Sequence, residues 1–527
     1  MEHNGGPDRA HRMSVETIVP PTTYFHMKIF PTRSGHKGGT LFSALCIAAC
    51  AAICLSSCVR VPYRSTLHAE GWQNSLKIGK GAGNPLLDFT FTADPTAIEY
   101  GGRLYVYGTN DHQQFDSVGV NGKNSYEKIR TLAMMSTEDM VNWTWHGLIP
   151  TGELAPWIIA SWAPSVVSRI EEDGLTHFYL YFSNSGYGSA VLTSTSPVGP
   201  WTSPLGRSIV DTDSKGLDGP EAAFDPGAVI DESGVGWLSF GGGAGYIVRL
   251  GKDLISCEGD FIKLPAAYHF EANELNFIDG TYVYTYNMNW TDHKPWTAPG
   301  PVPVGCCMTY MTSKTPLDPS SWEYGHDYFP NPGDFHIEGI PHSNNHTHLH
   351  QYKGKWYLLY HNMDLQNYFG TGGGFRNICV DQIEVVGTDI RPAVMTREGV
   401  PQVGTLDPFS LQQIETVAGT INASFEQEGA PGNTVLTSCG DSIVTVLKVR
   451  GVDFGKGASK LLLRACGQGT VEVRTGSPEG PFLGGAVVDM KSWGEKSIHL
   501  EERPEGIQDL FFLIQGEALR LDSWKFK

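Results

Sequence analysis

The feature that most constrains the fold is a hairpin pattern that recurs five times along the chain. Each copy has a polar or aromatic marker residue, a short strand, a turn that contains glycine, and a second strand rich in Tyr and Phe. Such regular repetition without a strong helical stretch predicts an all-β, five-bladed β-propeller. A β-sandwich with accidental similarity between its hairpins is the alternative. The five markers are Asp94, Trp162, Asp225, Glu271 and His346.

The first copy, FTFTADPTAIEYGGRLYVYGTND, places a carboxylate, Asp94, directly before Pro95. Asp before Pro is common in turns, so this pair alone says little about chemistry. The pair recurs, however, as Asp225-Pro226 at the same place in a later copy. The innermost strand of each propeller blade lines the central channel. We therefore expect the five marker residues to converge around one axis.

Three of the five markers are acids, and we expect them to share one channel mouth. Three carboxylates cannot all ionise cheaply in a narrow pocket, so at least one pKa should be raised. Glycoside hydrolysis uses one raised and one ordinary acid, the first as proton donor and the second to activate water. The indole of Trp162 offers a flat apolar face for a sugar ring.

At these residues the chain resembles glycoside hydrolase family 43. The motifs TADPTAIEYGGRLYVY, SWAPSVV, FDPGAVIDESG, FEANELNFIDGTYVY, NNHTHLHQYKGKWYLLYHN and GGGFRNICVDQIEV occur in the family's order over residues 80–405. The resemblance implies that Asp94 is the general base, that Asp225 orients the acid and tunes its pKa, and that Glu271, rather than Glu274, is the general acid. It also implies inversion, with the Asp94 and Glu271 carboxyl groups about 6.5–9.5 Å apart.

Three histidines alternate at positions 346, 348 and 350, and on a strand they face one side. Three such imidazoles are a possible transition-metal site, or simply polar strand residues. The resemblance implies instead that His346 helps to hold an axial calcium ion, mostly through water. The family often has a second histidine where this chain has Thr347, a departure that puts the ion in doubt. No organic cofactor is expected.

Arg376 follows the glycines of GTGGGFR. It matches an arginine near the family's active site. A guanidinium there is suited to donate hydrogen bonds to sugar hydroxyls or to a carboxylate, and we expect it to bind substrate. A surface ion pair is the alternative.

After Pro408 the pattern changes to short alternating strands and many turns, which predicts a β-sandwich of the jelly-roll type over residues 409–527. The strand VRGVDFGKGASKL and the terminal LDSWKF make residues 411–527 resemble carbohydrate-binding module family 6. The expected acidic run and tyrosine-bearing loop are not obvious. The domain is therefore expected either to bind sugar or to dock on the propeller domain, residues 80–408.

The N-terminus carries a targeting signal. Basic residues precede an apolar run from Leu41 to Cys58 that ends LSSC. This order is typical of a secretory signal peptide, and the ending resembles a bacterial lipobox. We expect residues 1–58 to be an extension and signal peptide, with Cys58 lipidated and the protein anchored to the cell envelope. An ordinary signal peptide is the alternative; residues 59–79 are a predicted linker.

A formal net charge of −18 makes nucleic acid an unsuitable partner, whereas neutral sugars remain suitable. The six cysteines after the signal region are expected to be buried thiols with at most one or two bridges. The two resemblances together imply an inverting, exo-acting enzyme that releases pentose, first α-L-arabinofuranose, from arabinoxylan or arabinan, and we expect it to be a monomer. The alternatives are a β-xylosidase, an arabinanase, a galactofuranosidase, a fructan-active enzyme and a non-catalytic glycan-binding lipoprotein.

Overall fold

The computed structural model describes residues 63–78, 83–219 and 222–527. The predicted signal peptide and Cys58 lie outside these ranges. The three α-helices of the described ranges are short: α1 (Asp111–Val118), α2 (Thr151–Leu154) and α3 (Asp364–Tyr368). Single 3-10 turns lie at Trp72–Asn74, Ser185–Tyr187, Pro319–Ser321 and Pro332–Phe335. No helix in these ranges combines the length and the apolar character needed to cross a bilayer.

Five antiparallel sheets follow one another along the first part of the chain, which confirms the predicted five-bladed propeller. Blade one consists of β1 (Ala93–Tyr100), β2 (Arg103–Thr109), β3 (Leu132–Thr137) and β4 (Trp143–Ile149). Blade two consists of β5 (Trp162–Ile170), β6 (Thr176–Ser183), β7 (Gly188–Ser194) and β8 (Val210–Asp211). Blade three consists of β9 (Gly227–Ile230), β10 (Gly236–Phe240), β11 (Tyr246–Leu250) and β12 (Cys257–Lys263).

Blade four has four strands and blade five has three. Blade four consists of β13 (His269–Ile278), β14 (Thr281–Met288), β15 (Met308–Ser313) and β16 (Glu323–Phe329). Blade five consists of β17 (Thr347–Tyr352), β18 (Lys355–Asn362) and β19 (Asn377–Ile383), and a small hairpin of β20 (Val385–Val386) and β21 (Asp389–Ile390) follows it. In each blade the first strand contacts the first strands of its neighbours and so surrounds the axis.

Apolar side chains fill each of the five interfaces between neighbouring blades. The cluster between blades one and five, for example, contains the buried Trp143 of β4 and Tyr357 of β18. Comparable clusters join blades one and two, two and three, three and four, and four and five. The Tyr- and Phe-rich strands of the repeat are therefore apolar because both faces of each sheet are covered.

Side chains of the inner strands also bond from blade to blade around the axis. At one position of the repeat, the side chain accepts a hydrogen bond from a backbone N–H of the next blade. The pairs are Val166 N to Thr96 Oγ1 (3.3 Å), Ala228 N to Ser165 Oγ (2.9 Å), Leu349 N to Glu274 Oε2 (3.3 Å) and Ala97 N to His348 Nε2 (3.1 Å). The ring is interrupted at blade three, where this position is Gly227.

This ring fixes which residues are equivalent between blades. In blades one to four, the residue two positions before the ring position has a left-handed backbone conformation. These residues are Asp94 (φ 49°), Ala163 (φ 40°), Asp225 (φ 52°) and Ala272 (φ 56°). Asp94 and Asp225 therefore occupy equivalent positions, as predicted. Trp162 and Glu271 each stand one residue earlier, so the predicted alignment of those two markers is wrong by one. The strand starts of β1, β5 and β13 share the same β-bulge, so the offset lies in which residue of the bulge carries the marker side chain: the left-handed residue in Asp94, the residue before it in Trp162 and Glu271.

A segment before blade one completes the outer edge of blade five. The side chain of Asn84 acts as a short strand would, because Val380 N donates to its Oδ1 (2.8 Å) and its Nδ2 donates to Val380 O (3.1 Å). Leu86 N then donates to Ile378 O (2.8 Å). The N-terminal side of the propeller is thereby tied to its last blade, which closes the ring of blades.

The C-terminal part forms one curled sheet of nine strands around a single apolar core, with residues such as Phe512 and Trp524 inside. A tenth strand, β23, leaves this sheet and pairs with β4, adding a fifth strand to blade one. The strands are β22 (Gln412–Gln413), β23 (Thr416–Val417), β24 (Gly419–Ile421), β25 (Ser424–Gln427), β26 (Thr434–Thr437), β27 (Gly440–Asp453), β28 (Lys460–Thr475), β29 (Phe482–His499), β30 (Ile507–Gly516) and β31 (Arg520–Phe526).

The segment 63–67 is fastened to the C-terminal domain by one buried carboxylate, Glu472 of β28. Glu472 accepts hydrogen bonds from Tyr63 Oη (2.9 Å), Ser65 Oγ (2.8 Å) and the backbone N–H groups of Thr66 (2.6 Å) and Leu67 (2.9 Å). Burial raises the pKa of Glu472, but these donors outweigh it and lower the pKa overall. The carboxylate is therefore kept charged by the chain segment that it holds.

The six cysteines of the described ranges are all free thiols. Cys306, Cys307 and Cys379 are buried, as predicted, whereas Cys439 is exposed and Cys257 and Cys466 are partly exposed. The prediction of buried thiols is therefore wrong for these last three, although Cys257 still packs against the cluster between blades two and three.

Candidate active site

A cavity of about 100 Å³ opens where the first strands of the blades begin. All six residues that the sequence singled out for the site lie in its wall: Asp94, Trp162, Asp225, Glu271, His346 and Arg376. Four further residues complete the wall: Tyr126, Ala163, Phe224 and Asn344. The fold thus brings together side chains that lie up to 282 positions apart in the chain.

Asp94 is buried and both of its carboxylate oxygens accept hydrogen bonds. Thr109 Oγ1 donates to Oδ2 (2.7 Å), and Arg376 Nη1 donates to Oδ1 (2.8 Å). Two imidazoles face the same Oδ1 atom, His361 Nδ1 at 3.2 Å and His346 Nδ1 at 3.5 Å. Burial raises the pKa of Asp94, but Arg376 and His361 outweigh it and lower the pKa well below its usual range. Asp94 is therefore a carboxylate at neutral pH.

Asp225 has the opposite environment although it stands at the equivalent position. Its partners are neutral: Ser183 Oγ donates to Oδ1 (3.2 Å) and Ala272 N donates to Oδ2 (2.8 Å). Burial, and next the negative charge of Asp94, raise the pKa of Asp225 to about 7. The two Asp-Pro acids are thus driven apart in pKa, which satisfies the condition for one proton-holding and one ionised acid in a single pocket.

Glu271 lies in the cavity wall and is half-buried. Asp225 fixes the backbone that follows it, because its carboxylate accepts from Ala272 N and its carbonyl oxygen accepts from Asn273 Nδ2 (2.8 Å). Glu274 lies elsewhere: its Oε1 contacts His348 Nδ1, and its Oε2 accepts from Leu349 N. Of the two glutamates in this strand, Glu271 is therefore the one that faces the cavity.

Arg376 is almost fully buried and holds two carboxylates at once. Its Nε and Nη2 donate to the two oxygens of Asp111 (both 2.8 Å), while its Nη1 donates to Asp94. The ring of Tyr126 covers one face of the guanidinium, with its centroid 4.8 Å from Cζ. A surface ion pair is therefore excluded, and most of the donors of Arg376 are directed at protein carboxylates rather than at open solvent.

The aromatic wall lies beside these charges. Trp162 donates from Nε1 to Tyr126 O (3.1 Å), and the two rings meet edge to face with centroids 6.0 Å apart. Phe224 lies directly before Asp225 and lines the same cavity. A pocket with apolar ring faces and a few convergent polar groups is the usual form of a sugar or other small-molecule site.

Comparison with known proteins identifies the family. Residues 82–387 match the profile of the family Glycosyl hydrolases family 43. The chain belongs to glycosyl hydrolase family 43. It is also similar over most of its length to the arabinoxylan arabinofuranohydrolase of Bacillus subtilis (strain 168), with 32% identity over 485 residues, 85% of this chain and 92% of the relative.

Two further similarities to family 43 proteins also cover most of the chain. The arabinoxylan arabinofuranohydrolase of Paenibacillus polymyxa is 30% identical over 85% of this chain and 74% of its own length. The crystal structure of a glycoside hydrolase family 43 arabinoxylan arabinofuranohydrolase from Bacillus subtilis, in complex with cellotetraose, superposes with a TM-score of 0.78. That comparison has 31% identity and covers 86% of this chain and 99% of the other.

The three histidines of this family 43 chain do not act as one group. His346 faces the cavity, whereas His348 and His350 line a separate axial space of about 230 Å³ together with Glu274. Burial lowers the pKa of His346 to about 4 and that of His350 to about 3. Both rings are therefore neutral at ordinary pH.

The side chains around His346 do not form a calcium cage. Calcium takes about six to eight oxygen ligands, but the carboxylate nearest to His346, Asp94, is bound to the positively charged Arg376. In the ranges that the structure describes, no group of three or more His, Cys, Asp and Glu side chains is placed to hold a metal ion. An axial calcium held mostly through water stays a prediction.

Sequence reasoning missed Asp111, Tyr126, Thr109 and His361. Thr109 and Asp111 come at the end of the first hairpin, in GTND, and His361 is the last residue but one of the second strand of the fifth, in YHN. The repeat itself could have revealed them, because the second strand of each hairpin returns to the end of the blade where the first strand begins. Tyr126 gives no such signal, since it lies in the long connection between β2 and β3.

Proposed function

We propose that this protein is an inverting, exo-acting family 43 hydrolase that releases terminal α-L-arabinofuranose from an arabinoxylan-type polysaccharide. The observation that carries the proposal is the pair of equivalent acids, Asp94 and Asp225, with opposite pKa shifts in one cavity that also holds Glu271. The choice of sugar is supported by the names of the two bacterial relatives, which match over 85% of this chain.

In the proposed reaction, Asp94 is the general base. It is ionised, and it is held by Thr109 and Arg376, so that its remaining lone pairs are available to a water molecule in the cavity. As the water oxygen bonds to the anomeric carbon, Asp94 takes a proton from the water. The bond from the anomeric carbon to the leaving oxygen breaks on the opposite face of the sugar, which inverts the configuration.

Glu271 is the proposed general acid and protonates the leaving oxygen. Asp225 is proposed to orient it, because Asp225 binds the two residues that follow Glu271 in the strand. Trp162 is proposed to lie against the apolar face of the sugar. Arg376 is proposed to touch the sugar with the donors that its two carboxylates leave over.

The first experiment compares aryl α-L-arabinofuranoside with aryl β-xyloside and follows the product anomer by proton NMR. We expect faster release of arabinose, with the inverted anomer formed first, and loss of activity in Asp94→Asn. A retained anomer would contradict the mechanism. Faster xylose release would move the substrate to the β-xylosidase alternative. If neither substrate released its sugar, and the rates of wild type and Asp94→Asn were equal, the proposed hydrolase activity would be refuted.

The role of Glu271 is tested by its dependence on the leaving group. Glu271→Gln should slow hydrolysis of natural arabino-oligosaccharides by about 10²–10⁴-fold, and that of substrates with good leaving groups far less, since only the former need an acid. Asp94→Asn is the matched comparison because it should slow both substrate types alike. Equal losses in Glu271→Gln would reassign the acid.

For the C-terminal domain we propose a fold of the carbohydrate-binding module family 6 type whose main role is to dock on blade one. The support is β23, which leaves the domain sheet to pair with β4. Two arginines from different strands, Arg464 and Arg520, lie over the ring of Trp493, each with its Cζ 5.6 Å from the ring centroid. If the domain binds sugar, the protein should migrate more slowly in gels that contain arabinoxylan. Unretarded migration would leave docking as the role of the domain.

We also propose that Cys58 is lipidated and anchors a monomeric enzyme to the bacterial cell envelope. The lipobox-like LSSC sequence after an apolar run supports this. Cys58→Ala should move the protein from the membrane fraction to the soluble fraction. An unchanged distribution would indicate an ordinary signal peptide.

A further inference from the structure

We propose that Asp111 is a positioning residue that keeps Arg376 on one oxygen of the catalytic base Asp94. The inference rests on the proposed function for the role of Asp94, but on the described contacts for the role of Asp111. Neither the family resemblance nor the marker positions of the repeat point to Asp111.

The first observation is that Asp111 is fully buried and entirely used in holding Arg376 and its loop. Its Oδ1 accepts from Arg376 Nη2, and its Oδ2 accepts from Arg376 Nε, from Arg376 N (3.1 Å) and from Asn124 Nδ2 (2.7 Å). Asn124 also donates to Gly374 O (3.2 Å), in the glycine segment directly before Arg376. Asp111 thus fixes both the guanidinium and the backbone that carries it.

The second observation is the edge of Arg376 that this contact occupies. A guanidinium pairs with a carboxylate most favourably through two parallel N–H bonds from one edge. In this protein the Nε and Nη2 edge is given to Asp111, and Tyr126 covers one face, so only Nη1 reaches Asp94. Asp94 therefore has a single bond to Arg376, and its Oδ2 is held by Thr109 instead.

The consequence concerns the lone pairs of the base. A carboxylate offers about four acceptor positions, and a general base needs one of them directed at the water. If Asp111 no longer accepted from Arg376, the buried guanidinium would have Asp94 as its remaining carboxylate and would turn to pair with both of its oxygens. That arrangement competes with Thr109 and with the water for the same lone pairs. Asp111 prevents it by holding the other edge.

Asp111→Asn is the test variant, because it keeps the shape of the side chain but turns one acceptor into a donor facing Arg376. A matched control exists in blade five, where Arg397 Nε and Nη2 donate to the two oxygens of Asp364 (2.7 and 2.8 Å). This pair has the same geometry, and its carboxylate is also buried, but it does not line the catalytic cavity. Asp364→Asn should therefore leave the rate within about twofold.

We expect Asp111→Asn to lower kcat on aryl α-L-arabinofuranoside by about 10- to 100-fold, part of the full effect of a general base. The loss in kcat should exceed any change in KM. It should also be the same for good and poor leaving groups, since protonation of the leaving oxygen is not affected. If Asp111 had a merely structural role, Asp111→Asn and Asp364→Asn would both lower the melting temperature, and the selective loss in kcat would not be seen.

A double-variant cycle tests whether Asp111 acts through Arg376. In an Arg376→Ala background, adding Asp111→Asn should cost less than about twofold further, because the residue through which it acts is gone. Multiplying losses in the double variant would overturn the proposal, as would a rate for Asp111→Asn equal to wild type. The proposed function would survive either result.

A crystal structure of Asp111→Asn provides a readout that needs no substrate. We expect Arg376 to contact both oxygens of Asp94 in it, and an unmoved guanidinium would overturn the proposal. If wild type hydrolyses no aryl glycoside, the proposed function fails, yet this structure still decides whether Asp111 controls the contact between Arg376 and Asp94.

Discussion

The raised pKa of Asp225 predicts a distinctive dependence of stability on pH. The perturbation is Asp225→Asn, which removes the titrating group but leaves an amide oxygen to accept from Ala272 N. In wild type, the pKa of Asp225 rises from an ordinary 3.8 to about 7 on folding, because of burial and the charge of Asp94. Between those values the folded state holds a proton that the unfolded state has lost.

The sign and size follow from linkage. Because the folded state binds more protons at Asp225, the contribution of Asp225 to the free energy of unfolding falls as pH rises from about 4 to about 7. Above pH 7 this contribution is constant. At about 1.4 kcal/mol per pH unit over about three units, the loss is about 4 kcal/mol. Asp94 adds nothing in this window, because its pKa is lowered and it stays ionised throughout.

The assay is the melting temperature of wild type and variant from pH 4.5 to pH 8. For a chain of this size the unfolding entropy is about 1 kcal/mol per degree, so about 4 kcal/mol corresponds to about 4 °C. Between pH 4.5 and pH 8 the assay covers about 2.5 units of this window, or about 3 kcal/mol, so the melting temperature of Asp225→Asn should rise relative to wild type by about 3 °C. Other titrating groups are common to both proteins and cancel in the difference.

Asp231→Asn is the control with the opposite shift. Burial raises the pKa of Asp231, but hydrogen bonds from Ser233, Trp237 and Tyr282 outweigh it and lower the pKa to about 2. Its stabilising effect is thus complete above about pH 5, and the variant should lie below wild type by a constant amount from there to pH 8. A constant difference for Asp225→Asn as well, or one that falls with pH, would refute the protonated Asp225.

Three other predictions concern the scaffold and the ion. Glu472→Ala removes the acceptor that holds residues 63–67, and it should cost about 3–5 kcal/mol and expose that segment to proteases; unchanged cleavage would contradict this. Gly227→Ala should cost about 1–3 kcal/mol because its Cβ would lie 2.7 Å from Glu274 Cα, whereas Gly206→Ala meets nothing and should be neutral; equal melting temperatures would show that the axis can relax. If the axial ion is bound, EDTA should lower the melting temperature and added calcium should restore it. An unchanged melting temperature in EDTA would contradict a bound ion.

The propeller was predictable because its evidence is local and repeated. Each blade begins with a hairpin whose turn is fixed by glycine, as at Gly101 and Gly102, where φ is 59° and 80°. Five such hairpins also placed the cavity, since equivalent strand starts must meet. The offset of Trp162 and Glu271 was not predictable, because the sequence does not show whether the left-handed residue of a strand start or the residue before it carries the marker side chain.

The other unpredicted features depend on contacts that do not repeat. Asn84 completes blade five and β23 extends blade one, yet each is a single short segment whose partner is chosen by tertiary position. Tyr126 reaches the cavity from the connection between β2 and β3, outside the repeated hairpin. Such residues have no pattern of their own and become visible only once the blades are assembled.

The two Asp-Pro pairs show why a motif alone does not define the role of an acid in this fold. Asp94 and Asp225 share the residue that follows them and the left-handed backbone, with φ of 49° and 52°. What separates them is the neighbouring blade: blade five brings Arg376 and His361 to Asp94, whereas blades two and four bring Asp225 only a hydroxyl and a backbone N–H.

It follows that the ionised state of Asp94 is a property of residues distant in sequence. Without Arg376, Asp94 would lose the largest of the charges that lower its pKa, and His361 and His346 would remain to oppose burial. A chain that kept TADP but lacked the arginine after GTGGG would therefore hold the proposed base less firmly in its ionised form. Recognition of such a base in a propeller needs both segments, together with Asp111, which we propose sets the direction of the arginine.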